Sequence, residues 1–405
     1  MEPRQASPTG LLILLCGAAF LTMLSLLMLG PLLVALASEF YTSVAVVGQL
    51  AAATAITWGI TAPLAGPVAD AYGRRLMLLI GLLLMTGGLL GAVLAWNYWA
   101  LLACRLLTGI GAGMIPPNLI AAIVEVFPPT GRGKAVGWLL STTGVSAAVG
   151  VPLVAYLLGT GGWRLPFAVL GLAALGVCSL LWIRFPRSPR QPGEALAFLA
   201  HYREAGAHVM FWYMLAVNAL QQIVFFGMFA YLATYLIQSY QMQAESTALP
   251  LALVGGGVIV GSVLGGRIAD QRRRLAWFTL SCWGSGLLAV LVFTVQISPW
   301  ATVALAFGVT CLTRISNVVT PILLLERAGS SRTTATGLFT LSSQLGAFGG
   351  PSFGGMMLAL GGFAKVGLFC LGVSVLAAVV LQYKVRDSAA FLAQMAQQKG
   401  ATATE

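Results

Sequence analysis

The sequence predicts an all-α membrane protein in which twelve transmembrane helices form two six-helix bundles. Three observations carry this prediction: an apolar composition, a series of long apolar runs, and motifs that recur 200 residues apart. Of the 405 residues, 59% are hydrophobic and only 8% are charged, whereas an average soluble domain is about 25% charged. A chain this apolar cannot turn all its surface to water, so a membrane protein is favoured before any motif is considered.

Apolar runs long enough to cross a bilayer follow one another along the chain. A membrane-spanning helix needs about 20 apolar residues, and the runs lack the two-residue alternation that would indicate a barrel. The twelve predicted helices cover residues 11–37, 45–65, 76–95, 99–124, 135–158, 164–184, 208–237, 247–266, 275–296, 299–325, 333–360 and 363–384. The first run is too long for a signal-peptide core, so we expect it to be retained as a helix.

Lysine and arginine residues predict which side of the membrane each connection faces. Membrane proteins concentrate these residues in cytoplasmic loops. With the N-terminus inside, 18 of the 22 basic residues fall in cytoplasmic segments and only Arg164 and Lys365 in outer ones. We therefore expect a multi-pass protein of the inner (plasma) membrane with both termini in the cytoplasm. The same bias accounts for the net charge of +11 without nucleic-acid binding.

One polar segment, rich in proline, divides the chain into halves of six helices each. We predict an N-terminal bundle over residues 1–184, a cytoplasmic linker over 185–207, a C-terminal bundle over 208–384 and a cytoplasmic tail over 385–405.

A charged turn in the first half returns in the second half. The segment Gly66–Arg75 lies between the second and third apolar runs, and Gly266–Arg274 lies between the eighth and ninth. The residues that match at a spacing of 200 are Gly66 and Gly266, Ala69 and Ala269, Asp70 and Asp270, Arg74 and Arg274, and Gly150 and Gly350. A parallel repeat of two six-helix units is a known plan of secondary transporters.

These motifs resemble those of the major facilitator superfamily. The segment Gly66–Arg75, with Asp70 inside it, is similar to the signature loop that the family carries between helices 2 and 3. Arg105–Gly111 resembles the family's helix 4 motif, and Phe127–Ala135 resembles the loop that follows. The resemblance implies the major facilitator fold, in which two bundles rock about a central site.

A finer resemblance is to the drug and sugar efflux branch of proton antiporters. The segment Pro31–Phe40 is similar to this branch, which has a Gly-x-x-x-Gly-Pro-x-x-Gly-Gly motif on helix 5. In this chain helix 5 has only Ser146–Pro152 with part of the motif, and the full pattern lies on helix 11 at Gly346–Gly355. The resemblance implies proton-coupled efflux, and the displaced motif leaves antiport open.

The resemblance also implies a latch between the bundles at their cytoplasmic ends. A carboxylate at Asp70 can accept bonds from helix N-terminal amides and pair with nearby arginines. For Asp70 the alternative is a solvated charge in a turn. For Glu125 and Glu326 it is local pairing at helix ends. The predicted gating residues are Asp70, Arg74, Arg75, Glu125, Arg132, Asp270 and Glu326.

Two arginines lie within predicted helices, where a charge costs about 2.5–3.5 kcal/mol near the centre. Arg314 is near the middle of helix 10, and we expect it to line a central cavity. Arg105 is in the outer third of helix 4, where it can line the cavity or extend outward to the polar surface.

All eleven acidic residues lie at helix ends, in loops or in tails. A cavity with arginine and no carboxylate favours anionic or neutral polar substrates over cations.

Amide side chains within the helices must avoid lipid, so they face other helices or a cavity. Bonding between helices is the alternative to lining the cavity. Together with Arg314 and Arg105, the residues predicted to bind substrate are Asn118, Asn218, Gln221, Gln222, Asn317 and Gln344.

The sequence therefore predicts a secondary active transporter that moves a small organic solute, neutral or anionic, by alternating access with proton-coupled efflux. An uptake carrier or facilitator for an organic anion or metal chelate, a channel, and a membrane sensor without transport are the alternatives. No ATP-binding loop, zinc motif or nucleophile motif is found. We predict no enzyme activity, cofactor or metal, and a monomer that interacts with its substrate, protons and the lipid bilayer.

Overall fold

The structure is a computed structural model of the protein. It describes residues 8–127, 129–185, 209–269, 271, 273–325 and 332–385. Except for Phe185 and Val385, the predicted linker and tail lie outside these residues, so the proposed domain boundaries stay predictions.

The described residues are helical almost throughout. The α-helices are Pro8–Leu27, Leu29–Glu39, Val44–Tyr72, Arg74–Val93, Tyr98–Val126, Pro129–Val145, Val151–Gly161, Arg164–Arg184, Val209–Tyr240, Ala248–Ala269, Arg274–Thr294, Pro299–Leu325 and Arg332–Lys384. We number the membrane spans 1 to 12 in chain order. The first two helices form span 1, residues 129–161 form span 5, and Arg332–Lys384 holds spans 11 and 12, which meet at a bend at Gly361 and Gly362.

Helix length and composition agree with twelve crossings within the described residues. Eleven segments are long and apolar enough to cross a membrane, and one of them, Gly337–Lys384, has the length of two spans. Successive spans run in opposite directions, so both ends of the described chain lie at one end of the bundles. We call this end the terminal side and the opposite end the distal side. An ion pair of 3.0 Å between Arg164 and Glu39 joins spans 1 and 6 at the distal side.

Two spans that the apolar runs predict as continuous helices are interrupted, and a proline explains each interruption. Proline lacks an N–H and its ring clashes with the carbonyl four residues earlier. Pro31 acts on Leu27, and span 1 breaks at Met28 between its two helices. Pro152 acts in the same way on span 5, where residues Ser146–Gly150 widen into a π-helical turn, a feature often found at functional sites.

The backbone preserves the repeat of 200 residues. Five of the described residues have a clearly positive φ, and four of them form two pairs at that spacing. Tyr41 (φ 50°) and Gln241 (φ 55°) follow spans 1 and 7, while Gly162 and Gly362 (φ 71° each) precede spans 6 and 12. Equivalent turns therefore adopt equivalent conformations in the two halves.

The two bundles touch along the distal half of the molecule. Gln49 Nε2 of span 2 donates to the carbonyl of Ser352 in span 11 at 3.4 Å. A Cβ at Gly30 of span 1 would lie 3.3 Å from the carbonyl oxygen of Phe229 in span 7, and one at Gly255 of span 8 would collide with span 5. Small residues thus bring backbones together here, as in other membrane bundles.

Candidate functional site

Arg314 lies deep in the molecule. It is eleven residues from the terminal-side end of span 10, or about 16 Å at the helical rise of 1.5 Å per residue. Its side chain is 5% exposed. The guanidinium Cζ lies 3.9 Å from the centre of the Phe225 ring, and Nη1 donates to Asn317 Oδ1 at 3.3 Å. The positive charge of Arg314 is thus held against the face of the Phe225 ring in the interior of the protein.

Amide and hydroxyl groups extend from this arginine across three spans. Asn317 Nδ2 donates to Asn218 Oδ1 at 3.5 Å. Asn218 Nδ2 in turn donates to Ser342 Oγ at 2.7 Å and Ser343 Oγ at 2.9 Å. We call these five residues the arginine–amide cluster. The cluster joins spans 10, 7 and 11, so the structure brings together Arg314, Asn317 and Asn218 as sequence reasoning expected.

The bonding capacity that remains differs between members of the cluster. Asn218 already uses both amide hydrogens and its oxygen, so it is suited to position its neighbours. Arg314 has five N–H donors, and its Nε has no partner among the described residues. No carboxylate in the described part of the chain forms an ion pair with it. Arg314 is therefore the member that can bind an anion.

Gln344 borders the cluster on span 11, next to Ser343. Its side chain is 6% exposed, and its Oε1 has no hydrogen-bond partner within the described residues. Its Cβ faces Gly59 of span 2, where an added Cβ would lie 3.1 Å away. The structure places this amide where the two bundles meet.

The other predicted amides lie elsewhere. Gln221 accepts from Ser285 Oγ at 3.3 Å and donates to Ser374 Oγ at 3.5 Å, inside the C-terminal half. Asn118 donates to the carbonyl of Met114 one turn earlier in its own helix, at 2.7 Å. Gln222 is buried, with its Cβ against Gly346. The structure does not bring these three side chains into the arginine–amide cluster.

Arg105 is separate from Arg314. It lies 21 residues from the terminal-side end of span 4, about 31 Å by helical rise, and is 0% exposed. In the structure its side chain does not reach the molecular surface. Its Nη2 donates to the carbonyl of Ser25 at 2.6 Å, and its Cζ lies 6.0 Å from the Phe167 ring. Ser25 is in the last turn before the break at Met28, where helix carbonyls lack partners, so the broken span supplies an acceptor.

The predicted latch is described only in part. Arg74 donates to the carbonyl of Ala121 at 3.2 Å, and Arg75 donates to the carbonyl of Trp182. Both arginines thereby contact neighbouring spans of the N-terminal half. The side chains of Asp70, Glu125 and Arg132, and all of Asp270 and Glu326, lie outside the described residues. The latch stays a prediction, which distances measured across this side in an Asp70→Asn variant would test.

One glycine explains the tight turn in that region. Gly73 is the only residue between spans 2 and 3, and its φ is 96°. Other residues rarely adopt this conformation.

Sequence reasoning missed two polar groups, one inside the cluster and one on span 2. Ser342 completes the bonding of Asn218, and the indole Nε1 of Trp58 on span 2 is buried without a partner among the described residues. Neither carries a signal in the sequence, because serine and tryptophan are common in membrane helices and only packing shows what they face.

Comparison with known proteins decides the family. A sequence model of the Major Facilitator Superfamily matches residues 15–346, most of the chain. The chain belongs to the major facilitator superfamily. This confirms the family and the twelve-helix, two-bundle fold predicted from the sequence. The protein is a multi-pass membrane transporter of small solutes.

Named relatives share about a quarter of their residues with this major facilitator. An uncharacterised MFS-type transporter of Bacillus subtilis is 26% identical over 367 residues, covering 88% of each chain. A 3-(3-hydroxy-phenyl)propionate transporter of Escherichia coli is 29% identical over 307 residues, 73% of each chain. A probable sugar efflux transporter of Helicobacter pylori is 25% identical over 359 residues, 86% of this chain and 88% of the relative.

Solved structures have the same fold. A bacterial homologue of the human lysosomal transporter Spinster, crystallised in an inward-facing and unoccupied conformation, aligns with a TM-score of 0.72 over 94% of this chain and 95% of that one, at 18% identity. A D-xylose–proton symporter aligns with a TM-score of 0.72 over 94% of this chain and 98% of its own, also at 18% identity. At this identity the likeness establishes the fold alone.

Proposed function

We propose that this major facilitator exports a small organic solute, that it prefers anions, and that Arg314 binds the anionic group. The observation that carries the proposal is a deeply buried guanidinium whose Nε has no partner and that forms no ion pair with a carboxylate of the described residues. An anion that reaches Arg314 supplies the missing countercharge. Hydrogen bonds to charged groups contribute about 1.5–3 kcal/mol each, and guanidinium matches a carboxylate with two parallel bonds.

The arginine–amide cluster supports a preference for polar organic molecules. Asn317 and Asn218 hold Arg314 against Phe225, so the charge has a defined position before the solute arrives. A preformed site loses less conformational entropy when it binds. The relative named as a 3-(3-hydroxy-phenyl)propionate transporter handles a carboxylate, which agrees with this chemistry.

A neutral, hydroxylated solute is the second candidate. Amides and serines surround Arg314, and such groups bind hydroxyls without needing charge. The relative named as a probable sugar efflux transporter supports both this candidate and the outward direction.

A thermal-shift screen of the purified protein tests the charge preference. The probes are 3-(3-hydroxyphenyl)propionate, 3-phenylpropionate, 3-hydroxybutyrate, butyrate, neutral sugars and quaternary amines. We expect the acids to raise the melting temperature, because a ligand stabilises the state that it binds by an amount that grows with its concentration over Kd. Stabilisation by the amines alone would contradict an electropositive site.

We further propose that the protein works as a monomer in the bacterial plasma membrane with both termini in the cytoplasm. The positive-inside rule supports this orientation. The distal contacts between Gln49 and Ser352 would then close the outer side, so that the structure corresponds to an inward-facing state.

We also propose that export is coupled to protons, as the resemblance to the efflux branch implies. In liposomes with an imposed pH gradient, we expect movement of an acid probe against its own gradient. An ionophore that collapses the pH gradient should stop that movement within the same assay. Accumulation that continues at the same rate after collapse would remove proton coupling while leaving the solute site untouched.

A further inference from the structure

Two buried polar groups on spans 2 and 11 lack hydrogen-bond partners in the described part of the chain. Gln344 Oε1 is an acceptor without a donor, and Trp58 Nε1 is a donor without an acceptor. Both side chains are buried, at 6% and 3% exposure. Buried polar groups in proteins are nearly always bonded, so each exception calls for an explanation.

The two groups belong to opposite bundles but to facing helices. Gly59, the neighbour of Trp58 in the chain, lies against Gln344, since a Cβ there would be 3.1 Å from Gln344 Cβ. The lipid-exposed side of span 2 carries Ile60 and Leu64, and that of span 11 carries Leu345. Trp58 and Gln344 are buried, so both side chains lie on the inner parts of their helices.

The depths of the three groups are similar. Trp58 is 14 residues from the terminal-side end of span 2, and Gln344 is 12 residues from that end of span 11. At 1.5 Å per residue these positions are about 21 and 18 Å deep, against about 16 Å for Arg314. The unpaired donor, the unpaired acceptor and the Arg314 guanidinium therefore lie at similar depths in the molecule.

We propose that Trp58 and Gln344 form a hydroxyl-binding pair, and that the transported solute is a hydroxylated organic anion. A hydroxyl group both donates and accepts, so one hydroxyl can accept from Trp58 Nε1 and donate to Gln344 Oε1. These two groups do not bond to each other in the structure, which leaves both available to a third group. The inference rests on the proposed function, in which Arg314 binds the anionic end of the same solute.

This arrangement gives the solute a contact with each bundle. Arg314 and Gln344 belong to spans 10 and 11, whereas Trp58 belongs to span 2. A solute with a carboxylate and a hydroxyl then joins the two bundles through its own polar groups. An analogue without the hydroxyl leaves the donor and the acceptor unpaired, and a site of this kind discriminates strongly against such an analogue.

The test compares two matched pairs of acids by titration on the purified full-length protein: 3-(3-hydroxyphenyl)propionate with 3-phenylpropionate, and 3-hydroxybutyrate with butyrate. We expect the hydroxylated member of at least one pair to bind about tenfold tighter or more. Gln344→Met and Trp58→Phe should each bring that Kd ratio to near 1 while the acid without the hydroxyl still binds. Gln344→Leu provides a second variant if Gln344→Met does not fold.

A matched control comes from Trp163, a buried tryptophan at the distal side whose Nε1 also lacks a partner among the described residues. Trp163→Phe should leave the ratio unchanged. If no acid binds the natural protein, the proposed function fails. If the acids bind but hydroxylated and plain members bind alike, only the hydroxyl pair is wrong. A ratio that survives both Gln344→Met and Trp58→Phe also overturns the pair.

Discussion

Arg314→Gln is expected to abolish the binding of organic anions and to stop their transport. The substitution removes the guanidinium that lies over Phe225 and whose Nε has no partner among the described residues. Losing two charged hydrogen bonds, at about 1.5–3 kcal/mol each, weakens binding by about 100-fold or more. The measurements are a titration with the best acid of the screen and counterflow in liposomes.

The same variant separates loss of binding from loss of folding. A buried guanidinium without a carboxylate partner is costly in a membrane, so Arg314→Gln should not lower the melting temperature without ligand. Arg314→Lys keeps the charge but presents a point charge in place of a planar fork, and we expect partial binding. Arg164→Gln is the control, because Arg164 pairs with Glu39 at the exposed distal side. Wild-type affinity for acids in Arg314→Gln would refute the site.

Gly350→Ala is expected to destabilise the protein strongly. A Cβ at this position would lie 2.5 Å from the backbone nitrogen of Gly227 and 2.8 Å from the carbonyl oxygen of Ile223. Backbone atoms of span 7 cannot move away by changing rotamer as a side chain can. Spans 7 and 11 must therefore separate to accommodate the added Cβ. Overpacking of this kind costs about 1–3 kcal/mol and occasionally more.

The matched control for this change is Gly372→Ala in span 12, where an added Cβ meets nothing within 4 Å. Alanine favours helix over glycine by up to about 1 kcal/mol, so this variant should melt at the wild-type temperature or above. The measurement is the melting temperature of each variant in the same detergent. Equal melting of Gly350→Ala and the wild type would show that the two spans are not held at this distance.

The position of Gly350 also gives a structural meaning to the efflux-like motif on helix 11. Gly346, Gly350 and Gly354 recur every four residues and each lies against span 7, at Gln222, Gly227 and Tyr231 respectively. Residues four apart share one face of a helix, so the motif forms a seam between spans 7 and 11. Asn218 on span 7 and Ser343 on span 11 belong to the arginine–amide cluster. The close packing of these two spans therefore helps to hold the cluster together.

The sequence by itself determined the number of spans, the repeat and the family. Hydropathy can be read from local sequence, and each segment that crosses the lipid must be apolar along its length. Apolar runs therefore locate the helices within a few residues. The depth of Arg314 also follows from position along the chain. That no carboxylate of the described residues pairs with it agrees with acidic residues standing only at helix ends, in loops or in tails.

The interruptions show where local reasoning ends. Pro31 and Pro152 accompany a break and a π turn, whereas Pro321 and Pro351 lie inside continuous helices. The same residue type has both outcomes because neighbouring helices decide whether the carbonyl that proline frees finds another partner.

Only the tertiary structure decided which polar side chains share a site. Asn218 and Gln221 are three residues apart on one helix, yet the first bonds to the arginine–amide cluster and the second to Ser285 and Ser374. Gly59, the neighbour of Trp58, packs against Gln344 across nearly three hundred residues of chain. A side chain's type gives its bonding capacity, but its partners depend on which helices are packed beside it, and that information lies in the arrangement of the twelve spans.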